Sequence, residues 1–209
     1  MANSAKAEAV FKKFEEIGII PVVVLNDVKD AEPLGKCLIE GGLPAAEVTF
    51  RIMAEKYPDL LVGAGTVLTI DQVDRAAAAG AKFIVSPGFD PAIVKYCLEK
   101  DIPVCPGTQS PSEMIAAMNL GLDHVKFFPA EPSGGLKMIK AITAALTSLK
   151  VMPTGGISAS NVTEYLQNSK IFCAGGSWMV KGDMIKAGQW DEITAKVREA
   201  AEIVKSVRG

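Results

Sequence analysis

The sequence predicts a (β/α)8 barrel with an extra N-terminal helix, spanning residues 1–209 as one domain. Three observations point there. Eight short, almost continuously apolar runs recur along the chain, the pattern of parallel strands covered on both faces. Helical patterns with start and stop signals lie between them. The 209 residues are 49% hydrophobic and 22% charged, ordinary usage for one folded domain of this length. Eight strands alternating with helices in so short a chain favour closure. A doubly wound open sheet is the alternative, but its G-x-G-x-x-G turn after the first strand is absent.

The elements follow in order. The segment before Gly18 carries Val10, Phe14 and Ile17 on one helical face. Ile19–Leu25 is the first strand, and Gly41 marks the end of the helix after it. Ala45–Phe50 and Leu60–Gly63 are the second and third strands. Thr69 is a cap candidate for the helix that begins near Asp71, and Gly80 lies just past its end. Lys82–Ser86 is the fourth strand. Asp90-Pro91 opens the helix 92–100, with proline in the first turn where its missing N–H costs nothing. Ile102–Pro106 follows, then Ser110-Pro111 opening the helix 112–119, and Gly121. His124–Phe128, Lys150–Pro153 and Ile171–Ala174 are the last three strands, with Ser158 opening a helix over 159–167. Trp190, Ile193, Val197, Ala201 and Val204 repeat at spacings of three and four in a closing helix.

The second crossover does not fit. Between Phe50 and Leu60 stand nine residues, RIMAEKYPD, and a parallel crossover with its helix takes at least about 10–12. Ile52–Tyr57 reads as the tail of a longer helix, so we expect additional residues after Phe50 or Arg51 in the natural polypeptide, to be checked by intact mass.

Composition removes several classes. Lys plus Arg total 22 against 24 Asp plus Glu, so no basic field exists to hold nucleic acid. The longest apolar stretch, Ile17–Leu25, falls far short of the roughly 20 residues of a spanning helix. Cys37, Cys97, Cys105 and Cys173 show no C-x-x-C spacing and read as buried thiols of a reducing cytoplasm. One histidine, His124, leaves no His-rich metal site, and its place at the entrance to a strand reads as structural.

In a closed barrel the chemistry sits at the C-terminal ends of the strands. Two charged residues stand there within apolar runs. Lys126 lies between Val125 and Phe127, and Glu47 shares a strand face with Thr49. A strand-end lysine can snorkel to water, but apolar neighbours and Pro129 close by favour a desolvated amine able to act as an imine-forming nucleophile. Glu47 would then shuttle protons; otherwise it is an edge carboxylate or the lysine's structural partner. Glycine-rich turns follow the strands at Gly63-Ala64-Gly65-Thr66, Thr154-Gly155-Gly156 and Gly175-Gly176-Ser177. The last two follow strands seven and eight, where barrels commonly hold phosphate on backbone N–H groups.

Taken in order, EVTFR, GAGTV, SPG, PG, KFFPAE, PTGGIS and GGSW resemble the 2-keto-3-deoxy-6-phosphogluconate and 4-hydroxy-2-oxoglutarate (KDPG/KHG) aldolases, over essentially the whole chain from Ile19 to Val204. The resemblance implies a class I aldolase working through a covalent lysine imine, with no metal or other cofactor. Its substrate would be a small keto-acid sugar phosphate of the Entner-Doudoroff pathway, cleaved to pyruvate and glyceraldehyde 3-phosphate. Cleavage of 4-hydroxy-2-oxoglutarate, a homotrimer, and a cytoplasmic location away from membrane and nucleic acid are implied as well. Residue by residue, it implies Lys126 as the imine lysine and Glu47 as general acid/base. Arg51, Thr66, Pro106, Phe128 and Thr154 would contact substrate, and Gly155, Gly156, Gly176 and Ser177 would hold phosphate. Where some relatives carry an arginine late in the first strand, this chain has Val24. A phosphosugar isomerase or synthase on the same barrel, or a silent sugar-phosphate binder, would explain the glycine turns but not Lys126.

Overall fold

The computed structural model describes residues 4–48 and 59–209. Thr49, Phe50, Arg51 and the expected crossover gap lie outside these residues. The chain opens with α1 (Ala5–Ile17), capped by the Ser4 side chain, which accepts from the Ala7 N–H at 3.2 Å. Gly18, at φ +73°, ends it and donates to the Phe14 carbonyl at 2.8 Å. The strands are β1 (Ile19–Pro21), β2 (Ala45–Glu47), β3 (Leu61–Gly63), β4 (Ile84–Val85), β5 (Val104–Cys105), β6 (Gly107–Thr108), β7 (His124–Phe127), β8 (Lys150–Pro153) and β9 (Ala174–Gly176). β5 and β6 form one barrel position interrupted at Pro106, a residue with no N–H to give a ladder.

Closure can be followed strand by strand. β1 pairs in parallel with β9, β2 with β3, β4 with β5, β6 with β7, and β7 with β8. Parallel bridges Val22–Glu47, Ala64–Ile84 and Thr154–Gly175 join β1 to β2, β3 to β4, and β8 to β9. The circuit returns to its start, and the β1–β9 pairing is what an open sheet lacks. The eight expected strands are therefore present, with some bounds moved. The last ladder runs over Ala174–Gly176, while Ile171 makes only an isolated bridge to Val151.

Among the described residues the helical layer consists of α2 (Ala31–Gly41), α3 (Ile70–Ala78), α4 (Pro91–Glu99), α5 (Pro111–Asn119), α6 (Gly135–Ala145), α7 (Val162–Leu166), α8 (Gly182–Lys186) and α9 (Trp190–Arg208). The caps read from the sequence form. The Thr69 side chain accepts from Gln72 N–H, Asp90 from Ala92 and Ile93, and Ser110 makes a full capping box with Glu113. Two expectations shift. Gly42, not Gly41, takes the left-handed C-cap of α2, at φ +89°. α7 starts at Val162, because Ser158–Asn161 form a side-chain-bonded turn first: Ser158 N–H donates to Asn161 Oδ1 at 2.9 Å.

α1 lies across the N-terminal end of the barrel and fills it with rings. Phe11 stacks on His124 at 4.4 Å, Phe14 meets Phe83 edge-on at 4.7 Å, and Phe172 is edge-on to His124 at 4.7 Å. All three partners sit at strand starts. Arg208, in the last turn of α9, donates to the Glu15, Ile171 and Phe172 carbonyls at 2.8 Å and ties first and last helices to this end.

Candidate active site

β7 supplies Lys126. Val125 and Phe127 are fully buried on one face of the strand, so the period of two turns Lys126 the other way. Its backbone is fixed on both sides: its N–H donates to Pro106 O at 2.9 Å, and its carbonyl accepts from Thr108 Oγ1 at 3.0 Å. Glu47 ends β2, which neighbours β1 and β3 rather than β7. The two side chains nevertheless meet, with Lys126 Nζ 3.3 Å from Glu47 Oε1 and 3.4 Å from Oε2. Only the barrel interior allows that contact. Lys126 is 5% and Glu47 3% exposed. A pair so buried gains little net stability, because desolvation offsets its attraction; it provides an amine beside a carboxylate in a dry, fixed setting.

The ammonium lies 5.1 Å from the Phe128 ring centroid, an aromatic wall that favours cationic nitrogen. Below it the Cys105 thiol is buried, and desolvation chiefly, with Glu47 adding, pushes its ionisation up against the opposing pull of Lys126. Gly65, after β3, faces the Glu47 carboxylate so closely that a Cβ would collide with it. The exposed Thr66 follows at the rim. Pro106 is buried on the strand beside Lys126.

A second cluster adjoins the first. Thr154 bridges to Gly175, and its Oγ1 is buried without any hydrogen-bond partner. Buried hydroxyls are rarely left so. Gly155 and Gly156 follow at φ +97° and +81°, a left-handed turn suited to glycine. A Cβ on Gly155 would lie 3.3 Å from the Phe128 ring, so the lysine's wall and this turn are one surface. Gly175-Gly176, expected as a turn, instead belongs to β9: Val22 N–H still bonds Gly176 O at 2.8 Å. Its glycines serve close packing, Gly175 against the Thr154 hydroxyl and Gly176 against the Trp178 indole. Ser177, exposed, is the first residue past the strand. Lys126, Glu47, Pro106, Phe128, Thr154, Gly155, Gly156, Gly176 and Ser177 thus gather at one barrel end, with Thr66 at its edge, while Arg51 lies outside the described residues. Among the described residues no group of three or more His, Cys, Asp or Glu forms a metal-ligand cluster, and no helix is long and apolar enough to cross a membrane.

Sequence reading missed the braces of this end. Gln109 donates from its amide to Ser133 Oγ at 2.7 Å, joining the loops after β6 and β7. Glu131 accepts a short hydrogen bond from the Tyr165 phenol. The one available signal was an acid in the Pro- and Gly-rich loop PAEPSGG.

A sequence profile of the KDPG and KHG aldolases matches residues 10–196. The 2-dehydro-3-deoxy-phosphogluconate aldolase of Haemophilus influenzae is 42% identical over 211 residues, covering 97% of this chain and all of that one. The KDPG aldolase of Legionella pneumophila, solved with pyruvate captured at low pH as a covalent carbinolamine, superposes with a TM-score of 0.87 at 37% identity, covering 92% of this chain and 96% of that one. The 2-keto-3-deoxy-6-phosphogluconate aldolase of Zymomonas mobilis, solved with 3-phosphoglycerate, gives 0.85 at 33% identity, covering 94% and 95%.

Proposed function

The chain belongs to the KDPG and KHG aldolase family, and from that premise we propose how its own residues carry the reaction. It is a class I aldolase of 2-keto-3-deoxy-6-phosphogluconate, releasing pyruvate and glyceraldehyde 3-phosphate. The observation that supports the assignment of roles is the buried Lys126–Glu47 contact at 3.3 Å.

Proton transfer from Lys126 to Glu47 leaves a neutral amine, which attacks the C2 ketone. Glu47 returns a proton to the carbinolamine hydroxyl, water leaves, and the protonated imine forms. The C4 hydroxyl gives up its proton to Glu47 or a bound water, the C3–C4 bond breaks, and its electrons enter the imine as an enamine. The aldehyde departs. Protonation at C3 and hydrolysis return pyruvate and free Lys126. Thr66 and Thr154 supply hydroxyls to the keto-acid, Pro106 and Phe128 flank it, and Gly155, Gly156, Gly176 and Ser177 hold the phosphate through N–H and O–H donors. Arg51 would add a cation to an anionic substrate.

Residues 1–209 act as one domain, supported by Arg208 bonding across from α9 to α1. The enzyme also cleaves 4-hydroxy-2-oxoglutarate, needs no metal, works in the cytoplasm in the Entner-Doudoroff pathway, and assembles as a homotrimer.

Borohydride reduction in the presence of pyruvate, followed by peptide mass mapping, tests the central assignment. Lys126 should carry the label and Lys126→Arg should abolish it, because guanidinium stays protonated and cannot attack. Label on another lysine, or none, would overturn it.

A further inference from the structure

The turn Thr154–Gly156 is held from outside the barrel as well as from within it. Ala130 N–H donates to Thr154 O at 2.8 Å, and Glu131 N–H to Gly155 O at 3.0 Å, so the loop after β7 runs alongside the turn. The Glu131 stem lies flat on it: a Cβ on Gly156 would stand 2.6 Å from Glu131 Cβ. Beyond the turn the chain enters α7, and Tyr165 of that helix is 2% exposed. Its phenol finds its acceptor in the Glu131 carboxylate. A buried phenol without a partner is costly, so this bond fixes where α7 sits against the loop. The turn is therefore bracketed by β8 at one end and by a helix tethered back to Glu131 at the other. The same loop begins at Phe128, over the Lys126 ammonium.

We propose that Glu131 and Tyr165 are positioning residues that hold the Thr154–Gly156 turn in its phosphate-accepting shape. Neither belongs to the imine machinery. Their bond sets affinity for the phosphorylated end of the substrate and leaves covalent chemistry at Lys126 untouched. The inference rests on the turn being the phosphate cradle.

The test compares Tyr165→Phe, Glu131→Gln and Glu131→Ala with Ser177→Ala as the reference for the cradle itself. KM and kcat are measured for 2-keto-3-deoxy-6-phosphogluconate and for unphosphorylated 4-hydroxy-2-oxoglutarate, with the rate of borohydride trapping by pyruvate alongside. Tyr165→Phe and Glu131→Ala should raise KM for the phosphorylated substrate about tenfold, as expected when a few backbone hydrogen bonds to an anion are loosened. Trapping and the unphosphorylated reaction should stay within about twofold of the unmodified enzyme. Glu131→Gln, whose amide oxygen can still accept from the phenol, should recover part of the loss. Equal losses on both substrates, or an unchanged KM with an intact melting temperature, would overturn the proposal. If Ser177→Ala also fails to discriminate between substrates, the cradle assignment falls; if it discriminates and Tyr165→Phe does not, the positioning role alone falls. Should Glu131→Ala not fold, Tyr165→Phe, which removes one oxygen, decides.

Discussion

The two ends of this barrel are built from opposite materials. The N-terminal end is sealed by α1 and by rings in mutual contact, Phe11, Phe14, Phe83, Phe172 and His124. Among the described residues no buried side-chain polar atom there lacks a partner, and Arg208 takes three carbonyls. The C-terminal end carries a buried charge pair, a hydroxyl with no partner at Thr154, and glycines where side chains would collide. One end is closed by apolar contact; the other, though braced by hydrogen bonds between its loops, keeps a buried charge pair and an unpaired hydroxyl. The barrel thus separates stability from chemistry along a single axis, and the sealed end offsets what the open end leaves unsatisfied.

This contrast can be broken by substitution at either end. The largest expected effect is at the mouth: Glu47→Gln should lower kcat by roughly 10²–10⁴-fold for a lost general acid/base, with little change in KM. A kcat within tenfold of the unmodified enzyme would remove Glu47 from the reaction. At the closed end, Phe14→Ala should cost about 3–5 kcal/mol of stability, the usual loss for a buried phenylalanine, read from denaturant unfolding. Activity per folded molecule should hold, and a matching fall in kcat would join the two ends that we separate. A smaller effect sharpens the mouth itself. Ser177→Ala should raise KM for the phosphorylated substrate about three- to tenfold and spare 4-hydroxy-2-oxoglutarate. The smallest effect belongs to Cys97, near the C-terminal end of α4 and so beside the closed end. Burial pushes this thiol from 9.0 up to about 12. A raised thiol contributes fully below the unfolded value and loses its contribution as pH climbs from about 9 toward 12. The urea midpoint should therefore fall more between pH 8 and pH 10.5 for the unmodified chain than for Cys97→Val; equal falls would show that Cys97 is not the group responsible.

How much of this was legible in the sequence differs by end and by kind of interaction. Strands, caps and the α1 face could be read because each follows from periodicity or from a side chain bonding its own turn, as with Asp90 and Ser110. Lys126 and Glu47 were visible as charges in apolar strands, a placement with a physical cost. Their meeting was not derivable from spacing, since it joins β2 to β7 through the interior. Gly175-Gly176 misled, because glycine in a strand that must pass close to Thr154 and Trp178 looks the same on paper as glycine in a turn. Glu131 and Tyr165 were out of reach, because a bond between a loop and a later helix has no local pattern. The delayed start of α7 was hidden in the same way, behind the Asn161 side chain.

The β1–β9 pairing has a consequence for synthesis. Ile19 and Ala174 are partners in the closed ring, yet they leave the ribosome at opposite ends of translation. Until β9 emerges, β1 has one bare edge and β8 another, both apolar and both able to pair with a neighbouring chain. A nascent chain stalled before Ile171 would carry those two edges together, with α9 and the Arg208 tie still absent. This protein's vulnerability to aggregation thus persists until β9 has emerged, and closure of the ring ends it in one step.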